Sequence, residues 1–158
     1  GSIVDGIRHS KAPLIIVIDA DCEYPPEEIP AVLKGLETCD AVYGSRFMGQ
    51  PATPMPFLKK AGNRIISGIF NLLFRQKVTD LYTGFKGLRR TALAGMVFKR
   101  QGFEHVLELD VLLSRRGVKI QEVPVTYTPR QAGVSKMRHV SETLKYLVLI
   151  LRYRFLGT

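Results

Sequence analysis

Residues 14–18 of this 158-residue chain read LIIVI and run straight into Asp19, Asp21 and Glu23. A continuous aliphatic run bounded by turn-forming residues predicts a strand buried on both faces of a parallel sheet. Side chains at i and i+2 leave a strand on the same side. Asp19 and Asp21 are therefore expected together at its carboxyl end, where open α/β sheets bind ligands. Crowded carboxylates repel one another and resist burial unless something positive lies between them. Hard oxygen donors at this spacing suit Mg2+ or Mn2+, usually held by one or two carboxylates plus substrate phosphates. The same acids would equally serve as solvated turn residues ahead of Pro25 and Pro26, and the D-x-D spacing alone does not separate the two.

Strand and helix patterns alternate along the rest of the chain, which predicts an α/β layered sheet. Pro30 suits a helix start, with residues 31–37 continuing the helix. Residues 40–44 (DAVYG) read as a second strand, and 47–56, with three prolines and a glycine, as a loop. Residues 57–74 read as a helix with Ile65, Ile66, Ile69, Phe70, Leu72 and Leu73 on one side and Arg64, Ser67 and Asn71 on the other. A short strand follows at 85–88, with Thr91 as the cap of the next helix. A helix at 106–115 closes at Gly117. Residues 118–127 form a strand in which Pro124 marks an edge or a bulge, and a last helix covers about 141–155. There is no internal repeat.

Charge narrows the class of partner. Lysine and arginine number 23 against 14 acids, a net charge of +9, which favours anionic partners. No stacking-aromatic motif of the nucleic-acid-binding kinds is present, so nucleic acid is not expected. Cys22 and Cys39 form no CxxC pair, consistent with a reducing compartment. The apolar run at 146–151 (YLVLIL) falls short of the ~20 residues that cross a bilayer.

Six blocks, in order, carry a more specific signal: IDADCEYPPEEIP, AVYGSRF, AGNRIISGIFNLLF, TDLYTGFKGLRR, GFEHVLELDVLLSRRG and EVPVTYTPRQAGVSKM. Together they resemble the family 2 glycosyltransferases of the GT-A fold, most closely the dolichyl-phosphate mannose synthase and polyprenyl-phosphate glycosyltransferase branch. The resemblance implies a GT-A-like, Rossmann-related mixed sheet flanked by helices. It implies metal-dependent, inverting transfer of a hexose from a nucleotide sugar (GDP-mannose or a UDP-hexose) to a polyprenyl, dolichyl-type phosphate. The cofactor would be Mg2+ or Mn2+, and the place of action the cytoplasmic side of a membrane, peripherally bound. The alternative is a non-catalytic membrane-peripheral module, or an inactive fragment, that keeps the fold.

Residue roles follow from the same resemblance. Asp19 and Asp21 match the aspartates that hold the metal and the donor diphosphate, with Glu23 a third carboxylate at a position usually occupied by Gln. Arg46 and Arg64 match arginines near the acceptor phosphate; a guanidinium fork fits phosphate well. Asp80 matches an aspartate at the sugar or at the attacking oxygen, and Thr83, Gly84 and Phe85 would let backbone approach the sugar. Glu104 lies in an acidic block near the donor, with Glu108 one turn on; His105 reads as structural. Arg130, Ser135 and Lys136 match an R-x-x-G-x-S-K loop closing over the diphosphate, with Gly133 as its flexible point. Relatives of this kind carry an N-terminal lobe that grips base and ribose, and only residues 5–10 of it are expected ahead of the first strand. Residues 1–138 would then be the C-terminal part of the catalytic domain, and 139–158 an amphipathic helix at the membrane interface.

Overall fold

In a computed structural model the described residues are 2–48, 55–99, 104–129 and 139–156. Four strands form one sheet in the order β1-β3-β2-β4: β1 (Leu14–Val17), β2 (Ala41–Ser45), β3 (Lys86–Arg89) and β4 (Ile120–Pro124). β1 and β2 both pair antiparallel with β3, and β2 pairs parallel with β4. Among the described residues six α-helices accompany it: α1 (Ser2–His9), α2 (Ile29–Gly35), α3 (Phe57–Phe74), α4 (Arg90–Leu93), α5 (Glu104–Arg115) and α6 (His139–Phe155).

The sheet alternation separates two hydrophobic layers. On one face Ile15, Ala41, Tyr43 and Leu88 meet Phe70 of α3, Leu107 of α5 and Ile150 of α6. On the other, Val42 meets Val32 and Leu36 of α2, together with Tyr24, Phe85 and Val125. β2 lies wholly buried at the centre.

β1 departs from the sequence expectation. Its aliphatic run sits at the end of the described sheet, antiparallel to its neighbour, with three of its four residues only part-buried. Periodicity reports side-chain polarity and is silent on strand direction, so a run without alternation fits this position as well as a central parallel one. Pro124, by contrast, lies in β4 at the opposite end of the order, as expected of a residue that cannot donate to a ladder. Thr91 falls inside α4 instead of capping it; the cap is Arg89.

α3 has the bounds the spacing predicts and a different inward face. Ile66 and Phe70 enter the core, while Ile65 and Leu72 face outward at 61% and 81% exposure. The inward face also carries Asn63, Ser67 and Asn71, each committed to the segment that follows the helix. Asn71 Nδ2 donates to the Val78 carbonyl (2.8 Å) and Asn71 Oδ1 accepts from Val78 N–H (2.9 Å). Leu81 N–H donates to Ser67 Oγ (3.1 Å), and Ser67 Oγ donates to Asn63 Oδ1 (3.0 Å). Short uncharged polar side chains were thus placed outside by polarity and inside by hydrogen bonding, because a buried backbone segment must find partners.

Asn71→Ala should cost about 1–3 kcal/mol, since it strands a buried N–H and a buried C=O at Val78. Ile65→Ser on the outward side should lie within about 0.5 kcal/mol of wild type. Urea denaturation of both variants checks the face assignment.

Candidate functional site

The carboxyl ends of β1 and β2 and the loop at 79–85 meet at one place. Gly84 explains how closely. A Cβ built on Gly84 would stand 2.0 Å from Asp19 Oδ2, so the Asp19 carboxylate lies directly on glycine backbone. Gly84 N–H donates to the Tyr24 hydroxyl (3.1 Å), which joins the same loop to the acidic turn. Burial pushes the Tyr24 hydroxyl up to about 12, against the lowering pull of the Arg46 charge. In the turn, Glu23 N–H donates to Asp21 Oδ1 (3.2 Å) and Cys22 takes a left-handed φ of 61°. A non-glycine residue there is strained by about 1–3 kcal/mol, and such strain gathers at ligand sites.

Asp80 and Arg46 form the centre of the site. Arg46 Nε and one terminal nitrogen donate to the two Asp80 oxygens at 2.7 and 2.8 Å, and Arg46 N–H adds a third bond at 3.1 Å. Asn63 Nδ2 of α3 donates to the same carboxylate at 2.6 Å. Asp80 is fully buried and Arg46 is 8% exposed. Burial works against the Arg46 charge, yet the bonds and charge of Asp80 outweigh it and hold the guanidinium above its usual range. The rings of Tyr127, Tyr24 and Phe47 stand 5.4, 5.9 and 6.0 Å from the guanidinium carbon, a cation–π surround.

Five further contacts fix the Asp80 loop. Glu122 of β4 accepts from Thr79 N–H (2.8 Å), Thr79 hydroxyl (2.9 Å) and Asp80 N–H (2.9 Å). Ser45 Oγ lies 2.7 Å from Thr79 Oγ1, and Thr83 hydroxyl donates to the Gly44 carbonyl (2.6 Å). Glu122 is the residue that sequence reading passed over. Its signal is a lone acid between Ile120 and Val123 in a short edge strand. Asp110 is a second case, an acid within the apolar α5 run LELDVLL. It is fully buried, takes a 2.7 Å bond from Lys86 Nζ, and accepts from the Tyr43 hydroxyl. Burial pushes its carboxyl above the usual range, with the Lys86 charge opposing.

The expected site residues divide accordingly. Asp19 and Asp21 are together in the acidic turn, Asp19 exposed and Asp21 part-buried; Arg46 and Asp80 are paired behind them. Asp19 on its glycine cradle and Asp21 beside it fit a divalent ion shared with substrate phosphates. Among the described residues no group of three or more ligating side chains converges, so Glu23 does not complete a protein-only cage. Arg64 points to solvent on α3, and its side chain makes no hydrogen bond or ion pair among the described residues. Glu104 stands on the α6 side, lining a cavity with Leu144, Val148 and Arg152, and buried Glu108 accepts from the Tyr153 hydroxyl (2.6 Å). Arg130, Gly133, Ser135 and Lys136 lie outside the described residues. The stem before them is tied to the acidic turn, for Thr128 N–H donates to the Glu23 carbonyl (3.1 Å).

The family model for glycosyl transferase family 2 matches residues 1–96. The chain belongs to glycosyl transferase family 2. Among curated relatives, glycosyltransferase AglJ of Haloferax volcanii is 32% identical, over 79% of this chain and 42% of its own length. The dolichol-phosphate mannosyltransferase of Pyrococcus furiosus is 27% identical over 96% and 44%, and that of Mycosarcoma maydis 30% identical over 98% and 54%. The chain therefore spans about half the length of these relatives. The crystal structure of glucosyl-3-phosphoglycerate synthase from Mycobacterium tuberculosis, in complex with phosphoglyceric acid, superposes with a TM-score of 0.64. That match covers 97% of this chain and 53% of the other, at 14% identity. It shows a shared fold, the GT-A-like mixed sheet expected of the sequence.

Glu122 gives a pH test of the loop. Burial raises its folded pKa above the ordinary value near 4.5, against the pull of its Thr79 and Asp80 hydrogen bonds. A carboxylate with a raised folded pKa binds its proton more tightly folded than unfolded. Its contribution to stability is therefore present below about 4.5 and lost as pH rises through the raised value. Glu122→Gln should remove that slope from stability measured by urea denaturation between pH 4 and 7.

Proposed function

We propose that this chain carries the catalytic part of a glycosyltransferase that moves a hexose from a nucleotide sugar to a polyprenyl phosphate. The observation that carries the reading is the Asp19–Gly84 contact. It sets an exposed carboxylate, with Asp21 beside it, at the mouth of a site whose rear wall is the buried Arg46–Asp80 pair. Carboxylates that can share a divalent ion with a diphosphate, beside an arginine held in place by its buried partner, suit a substrate pair that brings both a diphosphate and a phosphate monoester. The names of two curated relatives, the dolichol-phosphate mannosyltransferase of Pyrococcus furiosus and the undecaprenyl-phosphate mannosyltransferase of Micrococcus luteus, point the same way.

In this reading Asp19 and Asp21 would hold a Mg2+ or Mn2+ ion together with the donor diphosphate. When bound, the ion supplies charge neutralisation for the leaving group. The acceptor phosphate oxygen attacks the anomeric carbon from the face opposite the diphosphate. The new C–O bond forms as the old one breaks, the nucleoside diphosphate leaves with the bonding electrons, and configuration inverts. A phosphate monoester is already anionic near neutral pH, so the step needs no base to remove a proton. Asp80 then acts as a positioning residue. Its oxygens are engaged by Arg46 and Asn63, and it sets the guanidinium near the acceptor phosphate. Arg64, Arg130, Ser135, Lys136 and Glu104 are assigned to phosphate and donor contacts by the family resemblance.

Helices α3 and α6 support action at a membrane surface. Leu144, Val148, Leu151 and Phe155 of α6 are exposed at helical spacing, as are Phe57, Leu58, Ile65 and Leu72 of α3. Tyr146, Leu149, Ile150 and Tyr153 of α6 face the core instead, so the helix serves both surfaces. Arg152 and Arg154 border the outer stripe, the pattern of helices lying in a bilayer interface. Among the described residues no helix is long and apolar enough to cross a membrane.

Titration calorimetry with Mn2+ and a nucleoside diphosphate tests the donor site. Wild type should bind the diphosphate only with metal present. Asp19→Asn and Gly84→Ala should each weaken binding at least tenfold, the second by displacing the Asp19 carboxylate. Equal affinities in all three proteins would contradict the assignment.

A further inference from the structure

At the end of α3 remote from Asn63 lies a cavity of about 480 Å³, lined by Leu73, Arg75, Ser114, Arg115 and Arg154 among others. Three helices end here. Arg115 is in the last turn of α5, Arg154 in the last turn of α6, and Arg75 directly follows α3. Asn63 and Phe74 are eleven residues apart, about 16 Å along the helix at ~1.5 Å per residue, so this is not the Asp19–Arg46 site.

Cations near helix carboxyl ends complement the helix dipole, and that alone would account for one arginine per helix. Two observations ask for more. No acidic side chain is among the cavity's lining residues, and the Arg75 and Arg154 side chains make no hydrogen bond or ion pair among the described residues. Moreover, Arg75 stands in the left-handed region (φ 55°, ψ 40°), a terminating position that favours glycine. α5 uses Gly117 at φ 78° after its own end. A strained residue with an unspent guanidinium, where glycine would terminate the helix without strain, argues for a role of the charge itself.

We propose that this cavity is a binding site for the phosphate of an anionic phospholipid headgroup. The Arg75 and Arg154 guanidiniums, with Arg115 lining the same cavity, suit a phosphate with several acceptor oxygens. The lipid source follows from the neighbours: exposed Leu72 precedes lining residue Leu73, and exposed Phe155 and Leu156 follow lining residue Arg154. Apolar side chains would enter the acyl boundary while the arginines take the headgroup. The proposal rests on the membrane-facing reading of α3 and α6. It adds a lipid contact separate from the acceptor at Arg46.

The test is titration of the full chain, followed by NMR of the arginine side chains, with soluble dihexanoyl phosphatidic acid and separately with inorganic phosphate. Wild type should show saturable shifts of the Arg75 and Arg154 Nε–H resonances with the lipid, at least tenfold tighter than with inorganic phosphate. Arg75→Gly with Arg154→Gln should weaken lipid binding tenfold or more. Arg75→Gly alone should melt at or above the wild-type temperature, since glycine relieves the left-handed strain. A double variant that binds the lipid as wild type does would overturn the proposal, because the arginines would then be dipole complements only. Inorganic phosphate binding as tightly as the lipid would overturn the lipid assignment. Flotation of wild type with phosphatidylcholine vesicles containing phosphatidic acid, and of the double variant, reads the surface separately. Failure of the wild type to float, with soluble-lipid binding intact, would overturn the membrane-facing reading and with it the lipid source, and leave only a soluble anion site.

Discussion

The ion pair between Arg46 and Asp80 is the contact on which the rest of the site depends. It is buried, bidentate and reached from three directions: the end of β2 supplies Arg46, α3 supplies Asn63, and Glu122 of β4 clamps the Asp80 backbone. Two charges taken from water are expensive, and excellent geometry with every remaining lone pair occupied is what offsets that cost. Asp80 meets the condition through its four described bonds. The consequence is positional. The loop that begins at Thr79 leads to Gly84, and Gly84 is where the Asp19 carboxylate rests. The rear pair and the acidic turn are thus one mechanical unit.

A second buried pair works in parallel. Lys86 at the start of β3 reaches Asp110 of α5, and the Lys86 ammonium lies 4.3 Å from the centre of the Tyr43 ring. It ties the strand that leaves the loop to the helix layer behind it. One Asp110 oxygen, Oδ2, is buried with no hydrogen-bond partner among the described residues, which agrees with a carboxyl pushed upward by burial. The loop at 79–85 is therefore anchored by ion pairs at both ends, one to β2 and one to α5, and by side chains of α3 along its length.

Much of this was legible in the sequence, for identifiable reasons. Helix α3 carried enough periodic positions for its bounds to be read correctly, and Gly117 and Pro124 declared a helix end and an edge strand through backbone chemistry alone. Asp19 and Asp21 were expected on one side of a strand, and both lie beyond its end, in the turn that follows Val17. What polarity could not supply was direction and partner. β1 reads as apolar whichever way its neighbour runs. Ser67 and Asn71 are polar and yet face inward, because the segment at 78–81 needs their hydrogen bonds more than solvent does. Glu122 and Asp110 each had a signal, an acid isolated within an apolar stretch. Such an acid predicts a buried partner without naming it, and the partners lie 42 and 24 residues away.

The central claim is that Arg46 and Asp80 act as one unit that holds the site together. A double-mutant cycle measures this directly, with unfolding free energies for Arg46→Leu, Asp80→Leu and the two combined. Removing either partner strands a buried charge and should cost about 3–5 kcal/mol. The double replacement should cost less than the sum of the singles by about 1–3 kcal/mol, the coupling expected of a contacting buried pair. Additive losses, with no coupling between the two positions, would contradict the account.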